Sequence, residues 1–126
     1  MLINQNPTTI QGFLPHVDIE QGLGRLVNNK KLFARLVGKF LEDTSSMNTI
    51  NELMAAGNIE EALKAIHAMK GTSGNLSFIK LNESAIKIEA DLKGDGANKD
   101  AYLAELNESY SDTIQLLPAL VVFLNA

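Results

Sequence analysis

The chain has 126 residues, a hydrophobic fraction of 45%, a charged fraction of 21% and a formal net charge of −4. This length suits one domain with a real core, and the composition is typical of a globular protein, not of a disordered one. The absence of cysteine excludes disulfides, thiolate metal sites and a cysteine nucleophile. The acidic balance, without clusters of Lys and Arg, argues against nucleic-acid binding.

No segment predicts a membrane span or a secretion signal. The longest apolar run, residues 116–124, has nine residues and contains Pro118, so it is too short to cross a bilayer. The first residues lack a basic region followed by an apolar block. We therefore expect a cytoplasmic protein with no membrane contact by this segment, whose partner is another protein or a small ligand.

The N-terminal residues are more polar than the rest of the chain. Residues 1–12 predict an arm or linker ahead of a helical domain that spans residues 13–126. Within this domain Asp18 can cap a short helix running to about Val27, since its carboxylate can accept unpaired backbone N–H groups of the first turn. His16, just before this cap, is expected to be a polar linker residue.

The middle of the chain predicts three long helices. The first begins near Lys30 and is expected to continue to Gly57, because its apolar residues recur mostly at steps of three and four. Asn58 and Glu61 resemble a capping box that opens the second helix. The third ends at the glycines of residues 93–96. The apolar positions of the first and third helices are Phe33, Leu36, Val37, Phe40, Met47, Ile50, Met54, Leu81, Ala85, Ile88 and Leu92.

The last predicted helix begins near Asn98 or Asp100 and runs through Leu117. Pro118 should kink or break it, because proline removes a backbone donor and clashes with the preceding turn. No stretch shows the strict alternation of a strand. Four long helices with short connections favour an all-α fold, an antiparallel four-helix bundle with a short extra N-terminal helix laid across it.

The segment IHAMKGTSGN, residues 66–75, places a histidine and two glycines in a pattern that otherwise predicts helix. The apolar stripe of this helix lies away from His67, so its ring is expected at the surface. Each mid-helix glycine destabilises a helix by roughly 1 kcal/mol relative to alanine, and such a cost suggests a use. Because glycine has no side chain, the two glycines would flatten this face and let another molecule reach the imidazole. The alternative is that Gly71 ends the helix. The residues sharing or flanking the face of His67 are Leu63, Lys64, Lys70, Gly71 and Gly74.

A surface histidine of this kind has a specific chemistry. A neutral imidazole nitrogen is a competent nucleophile near neutral pH, and the flanking ammonium groups would attract and partly neutralise a phosphoryl group. One alternative is a helical docking module in which His67 is incidental. Another is a metal-binding bundle, which needs several inward carboxylates and histidines. With two histidines in the whole chain, no metal site is expected.

Residues 66–92, IHAMKGTSGNLSFIKLNESAIKIEADL, resemble the signature of the histidine-containing phosphotransfer (HPt) domain family. The likeness extends over roughly residues 13–117. It implies an antiparallel four-helix bundle. It also implies that His67 accepts a phosphoryl group from a receiver-domain aspartate and passes it to another receiver, as an intermediate in two-component signal transduction.

The resemblance also carries individual residues. Lys70, Gly71 and Gly74 match positions beside the family's histidine. Glu89 falls where the family often has a Gln or Glu that can hydrogen-bond the other ring nitrogen, although an ordinary solvated glutamate is the alternative. Ser77 departs from the pattern, because the family often has a further glycine at its position.

The partners implied by the resemblance are response-regulator receiver domains. We expect a docking patch of Leu63, Gly71 and Gly74, to which the apolar residues Phe33 and Val37 contribute. Receivers carry Mg²⁺ in this family, so no cofactor of the chain's own is expected. The chain lacks a Walker loop and a kinase glycine-rich lid, so it is not an autonomous ATP-dependent kinase. We expect a monomer, either a stand-alone protein or the C-terminal piece of a hybrid sensor histidine kinase.

Overall fold

The computed structural model describes residues 4–126 and contains seven helices within that range. Helices α5, α6 and α7 pack against one another in chain order, while α3 packs on α7 and α4 packs on α5. The prediction of an all-α helical bundle is confirmed. The helices are α1 (Ile10–Phe13), α2 (Ile19–Arg25), α3 (Lys30–Glu42), α4 (Ser46–Ala55), α5 (Ile59–Asn75), α6 (Ile79–Lys93) and α7 (Lys99–Asn125).

The single helix predicted from Lys30 to Gly57 is wrong, because α3 and α4 are separate. Asp43 lies at the break, where its Oδ1 accepts the backbone N–H groups of Ser45 at 3.1 Å and Ser46 at 3.3 Å. The Ser46 hydroxyl also donates to Asp43 and is the largest cause of a lowered Asp43 pKa. Side chains that bond nearby backbone compete with the helix, so α3 ends here although the apolar spacing continues.

The helix that carries His67 is longer than the loop alternative allows. α5 continues through Gly71 to Asn75, so the alternative in which Gly71 ends the helix is wrong. The predicted capping box is also wrong, because the side chain of Asn58 makes no cap hydrogen bond. Ser77 has a positive φ of 57° in the turn after α5. Glycine is the usual residue in this conformation, which explains why the family pattern has glycine there.

The Ser77 turn is tied to α2. The buried Ser77 hydroxyl donates to Gln21 Oε1 at 2.9 Å and accepts a hydrogen bond from Arg25. Arg25 also donates to the Gly74 carbonyl at 2.7 Å. The carbonyl of His16 accepts the N–H of residue 79 at 2.8 Å. The backbone of His16 thus belongs to the folded body, and its prediction as a linker residue is wrong.

Part of the predicted arm falls outside the described residues. Residues 5–8 lie beside α7: Pro7 is buried, and the Gln5 side chain donates to Gln115 Oε1 at 2.9 Å. Helix α1 begins at Ile10, so the predicted domain boundary at residue 13 falls inside a helix.

Helix α7 has 27 residues and contains Pro118. Of the two predicted effects, a kink or a break, the break is therefore wrong. Leu120 and Leu124, which lie beyond the proline, are buried in the core. An internal proline costs about 3 kcal/mol, whereas burial of each leucine stabilises the fold by roughly 1.5–3 kcal/mol. The burial is sufficient to keep the helix continuous. None of the helices in residues 4–126 is both long and apolar enough to cross a membrane.

Candidate functional site

His67 lies in the middle of α5, on the face that turns away from the core. Its side chain is 67% exposed, whereas Ala62, Ile66 and Met69 on the opposite side of the helix are buried. This is the orientation that the apolar spacing of the segment predicts. Most of the imidazole is therefore open to an approaching molecule.

A buried carboxylate from α6 contacts the inner nitrogen of this ring. Glu89 is 5% exposed, and its Oε2 lies 2.7 Å from Nδ1 of His67. An ionised carboxylate can only accept hydrogen bonds, so Nδ1 donates to Glu89, and in the neutral ring Nε2 then keeps its lone pair. The structure thus contains the hydrogen bond that the resemblance implies, and Glu89 is not a solvated helix glutamate.

Two lysines keep Glu89 ionised despite its burial. Lys70 Nζ lies 2.5 Å from Glu89 Oε1, and Lys93 Nζ lies 3.7 Å from the same oxygen. The pKa of Glu89 is lowered from its ordinary value, chiefly by the hydrogen bond from Lys70 and further by the one from His67. Burial acts in the opposite direction, but these partners outweigh it. Lys70, Glu89 and His67 form one connected polar network.

The two lysines that flank His67 in the sequence differ in the structure. The side chain of Lys70 is 30% exposed and is bound to Glu89. Lys64 is 68% exposed and pairs with Glu61 Oε1 at 3.1 Å, one turn earlier on α5. Neither ammonium group is unpaired beside the imidazole. Lys70 contacts the carboxylate of Glu89, which in turn contacts the ring of His67.

The two glycines on this face also differ. A Cβ built at Gly71 would meet no heavy atom within 4 Å, so the surface there is open. A Cβ at Gly74 would lie 3.1 Å from Nδ2 of Asn82 on α6. The expectation that both glycines clear the surface therefore holds for Gly71, while the space at Gly74 is partly filled by a neighbouring side chain.

A family model described as Hpt domain matches residues 35–118, which include His67, its polar network and both glycines. The chain belongs to the Hpt domain family. Membership suggests phosphotransfer in phosphorelay signalling, in which Hpt domains interact with receiver domains. No curated protein and no solved structure matched the chain.

The docking residues predicted for this Hpt domain are only partly at its surface. Leu63 is half-buried and packs against the core. Phe33 and Val37 are fully buried, so the prediction that their side chains contribute to a docking surface is wrong. Spacing shows which residues form an apolar stripe but not which lie at its edge. Leu36 and Phe40 occupy that edge on α3, beside Thr72 of α5.

Asn82 is the residue of this Hpt domain that sequence reasoning missed. It lies between the family motif positions and carries no charge, so no local signal distinguishes it from a surface asparagine. Its contacts with α5 become visible only when the two helices are placed side by side. In residues 4–126 no group of three or more His, Cys, Asp or Glu side chains could hold a metal ion.

Proposed function

We propose that this Hpt domain is a phosphorelay intermediate. Nε2 of His67 accepts a phosphoryl group from an aspartyl phosphate of one receiver domain and passes it to the aspartate of another. The observation that supports this most is the 2.7 Å contact between Nδ1 of the exposed ring and the buried Glu89 carboxylate. Burial of an ionised carboxylate is unfavourable unless it is paired, and an incidental surface histidine does not need one behind it.

The transfer step uses this arrangement directly. The lone pair of Nε2 attacks phosphorus, the P–N bond forms as the P–O bond breaks, and the aspartate carboxylate leaves with the bonding electrons. Nδ1 keeps its proton throughout, so the ring becomes positively charged. The Glu89 carboxylate stabilises that charge at hydrogen-bond distance, and transfer to the second receiver is the same step in reverse.

Lys70 supports this step through Glu89. Its ammonium group lies 2.5 Å from Oε1 and keeps the carboxylate ionised, which fixes the Nδ1–H tautomer before the receiver arrives. We propose that the charges on the phosphoryl oxygens are neutralised by the Mg²⁺ of the receiver. On this proposal the Hpt domain needs no cofactor of its own.

The receiver is proposed to approach over the open surface at Gly71. A close approach of another backbone or side chain is easiest where no Cβ intervenes, and this position meets no neighbour within 4 Å. Leu63, one turn before His67, is half-buried and offers part of its side chain for apolar contact. The contact is proposed to orient Nε2 in line with the aspartyl phosphate.

A transfer assay tests the proposal. Receiver domains phosphorylated with a labelled small-molecule phosphodonor are mixed with the Hpt domain, and a suitable donor should place acid-labile, base-stable phosphate on it. Peptide mapping should locate the label at His67, and a second receiver should remove it. His67→Gln should accept no label.

Two outcomes would contradict the proposal. Labelling of His67→Gln at the rate of the parent would show that another residue is the acceptor. Receivers that bind the parent but never label it would favour the alternative, a docking module with an incidental histidine.

A further inference from the structure

Helices α5 and α6 share a polar contact one turn beyond His67. Asn82 of α6 donates from Nδ2 to the carbonyl of Lys70 at 2.8 Å. The Ser73 hydroxyl donates to the same carbonyl at 3.1 Å. A carbonyl inside a helix already accepts the N–H group four residues later. The bond from Asn82 is therefore not needed to satisfy this carbonyl, but it does link α6 to α5 at this point.

Gly74 provides the space for this contact. A Cβ there would lie 3.1 Å from Nδ2 of Asn82, which is tighter than an ordinary contact, whereas a Cβ at Gly71 would meet nothing within 4 Å. An alanine at Gly74 would push the amide by a few tenths of an ångström and so disturb its hydrogen bond to the Lys70 carbonyl. Gly74 and Asn82 therefore form one unit, which we call the Gly74–Asn82 clamp.

The clamp lies on the same helix pair as the reactive ring and its carboxylate. Asn82 and Glu89 are two turns apart on α6 and so lie on one face. Lys70 joins them, because its carbonyl accepts from Asn82 and its ammonium group lies 2.5 Å from Glu89 Oε1. His67 is one turn before Lys70 on α5. A shift of α6 at the clamp would therefore change the distance between Nδ1 of His67 and the Glu89 carboxylate.

We propose that Asn82 is a positioning residue of this Hpt domain. The Gly74–Asn82 clamp sets the depth and register of α6 on α5 so that Glu89 reaches Nδ1 of His67, which selects the Nδ1–H tautomer. Hydrogen bonds weaken steeply outside their narrow distance range, so a small displacement of α6 suffices to release the ring. The effect on phosphotransfer rests on the proposed function, but the tautomer is a property of the free protein.

The test measures which of the two ring nitrogens of His67 carries the proton. Long-range ¹H–¹⁵N spectra of the neutral His67 ring should show Nδ1 protonated and Nε2 unprotonated in the parent. Asn82→Ala removes the clamp, and Asn82→Asp keeps its shape but removes the donor. Both should shift the two ¹⁵N signals toward the mixed tautomers of a free imidazole. Both should also slow phosphoryl acceptance by roughly tenfold, within the range that misplacement of a reacting group can cause.

A control and a double variant separate the clamp from general loss of structure. Asn51→Ala removes an asparagine pair that joins α4 to α7 through Asn107 at 2.9 Å, and it should leave both His67 signals unchanged. Gly74→Ala alone should lower the denaturation midpoint and shift the ring signals. In the Asn82→Ala background the same substitution should raise the midpoint, because the space is vacated and alanine favours helix.

The outcomes for the clamp and for the proposed function are distinct. If folded Asn82→Ala keeps the ring signals of the parent, the inference is wrong whatever the transfer assay shows. If Asn82→Ala does not fold, the same criterion applies to Gly74→Ala. Ring signals of folded Gly74→Ala that match those of the parent would then show that the inference is wrong. If the signals shift as expected but the parent accepts no phosphoryl group from any receiver, the clamp stands and the proposed function fails.

Discussion

The two histidines of the chain have contrasting surroundings. His67 is exposed on α5, and its Nδ1 is bonded to the buried carboxylate of Glu89. His16 lies between α1 and α2, and its buried Nδ1 has no hydrogen-bond partner among residues 4–126. The rings are chemically identical, but within residues 4–126 only that of His67 contacts a carboxylate. On the proposed function, this buried carboxylate is the feature that distinguishes His67 from His16 as a phosphoryl acceptor.

The largest expected effect comes from removing each histidine in turn. His67→Gln should reduce phosphoryl acceptance by on the order of a thousandfold or more, because the covalent intermediate cannot form. His16→Gln should accept phosphoryl groups at close to the parental rate. Both are measured by transfer from the same phosphorylated receiver. Equal losses in the two variants would remove the distinction drawn between the two rings.

The next largest effect tests the carboxylate. Glu89→Gln keeps an acceptor for Nδ1 but cannot stabilise the charged ring, and it leaves Lys70 without its ionic partner. We expect phosphoryl acceptance to fall roughly 10–100-fold, by analogy with the loss caused when a carboxylate that orients a metal-ligating histidine is removed. The rate is measured against Glu61→Gln, which removes the exposed partner of Lys64. Glu61→Gln should accept phosphoryl groups at close to the parental rate, because exposed ion pairs contribute little to stability. Parental transfer by Glu89→Gln would show that exposure alone makes His67 an acceptor.

Much of the site could be predicted because it depends on local spacing. The positions of apolar residues within one helix determine which face it buries, so the outward direction of His67 can be inferred from the residues around it. Glu89 could be placed near the ring through its position in the family pattern. Its burial could not, since that depends on how closely α6 approaches α5.

The errors concern residues whose behaviour is decided by neighbours in space. Asp43 ends α3 through hydrogen bonds that compete with a continuing apolar pattern. Pro118 stays helical because residues beyond it are held by the core. Phe33 and Val37 look no different in sequence from the edge residues of the same helix. Asn82 gains its importance from a glycine on another helix. The pattern of residues along one helix contains no information about these contacts with other helices.

A smaller effect is expected at Gly71, where the surface beside His67 is open. Gly71→Ala should raise the free energy of unfolding by up to about 1 kcal/mol, because alanine favours helix and its methyl meets no neighbour. The same methyl should reduce phosphoryl acceptance a few-fold, and Gly71→Leu should reduce it further. Denaturant unfolding and the transfer assay measure the two effects. Transfer at or above the parental rate by both variants would show that the receiver does not approach over Gly71.

The smallest expected effect is a pH dependence of stability that arises from Glu89 behind the His67 ring. Lys70 is the main cause of the lowered Glu89 pKa, so the ionised carboxylate stabilises the fold above the ordinary glutamate value of about 4.3. This contribution is lost as the pH falls through the lowered pKa. The difference in free energy of unfolding between the parent and Glu89→Gln should therefore narrow on acidification. Asp43, whose pKa is also lowered, titrates in both proteins and cancels. A difference that stays constant down to the lowest pH at which both proteins fold would show that Glu89 is not held by charge, and the network behind His67 would then lack its proposed basis.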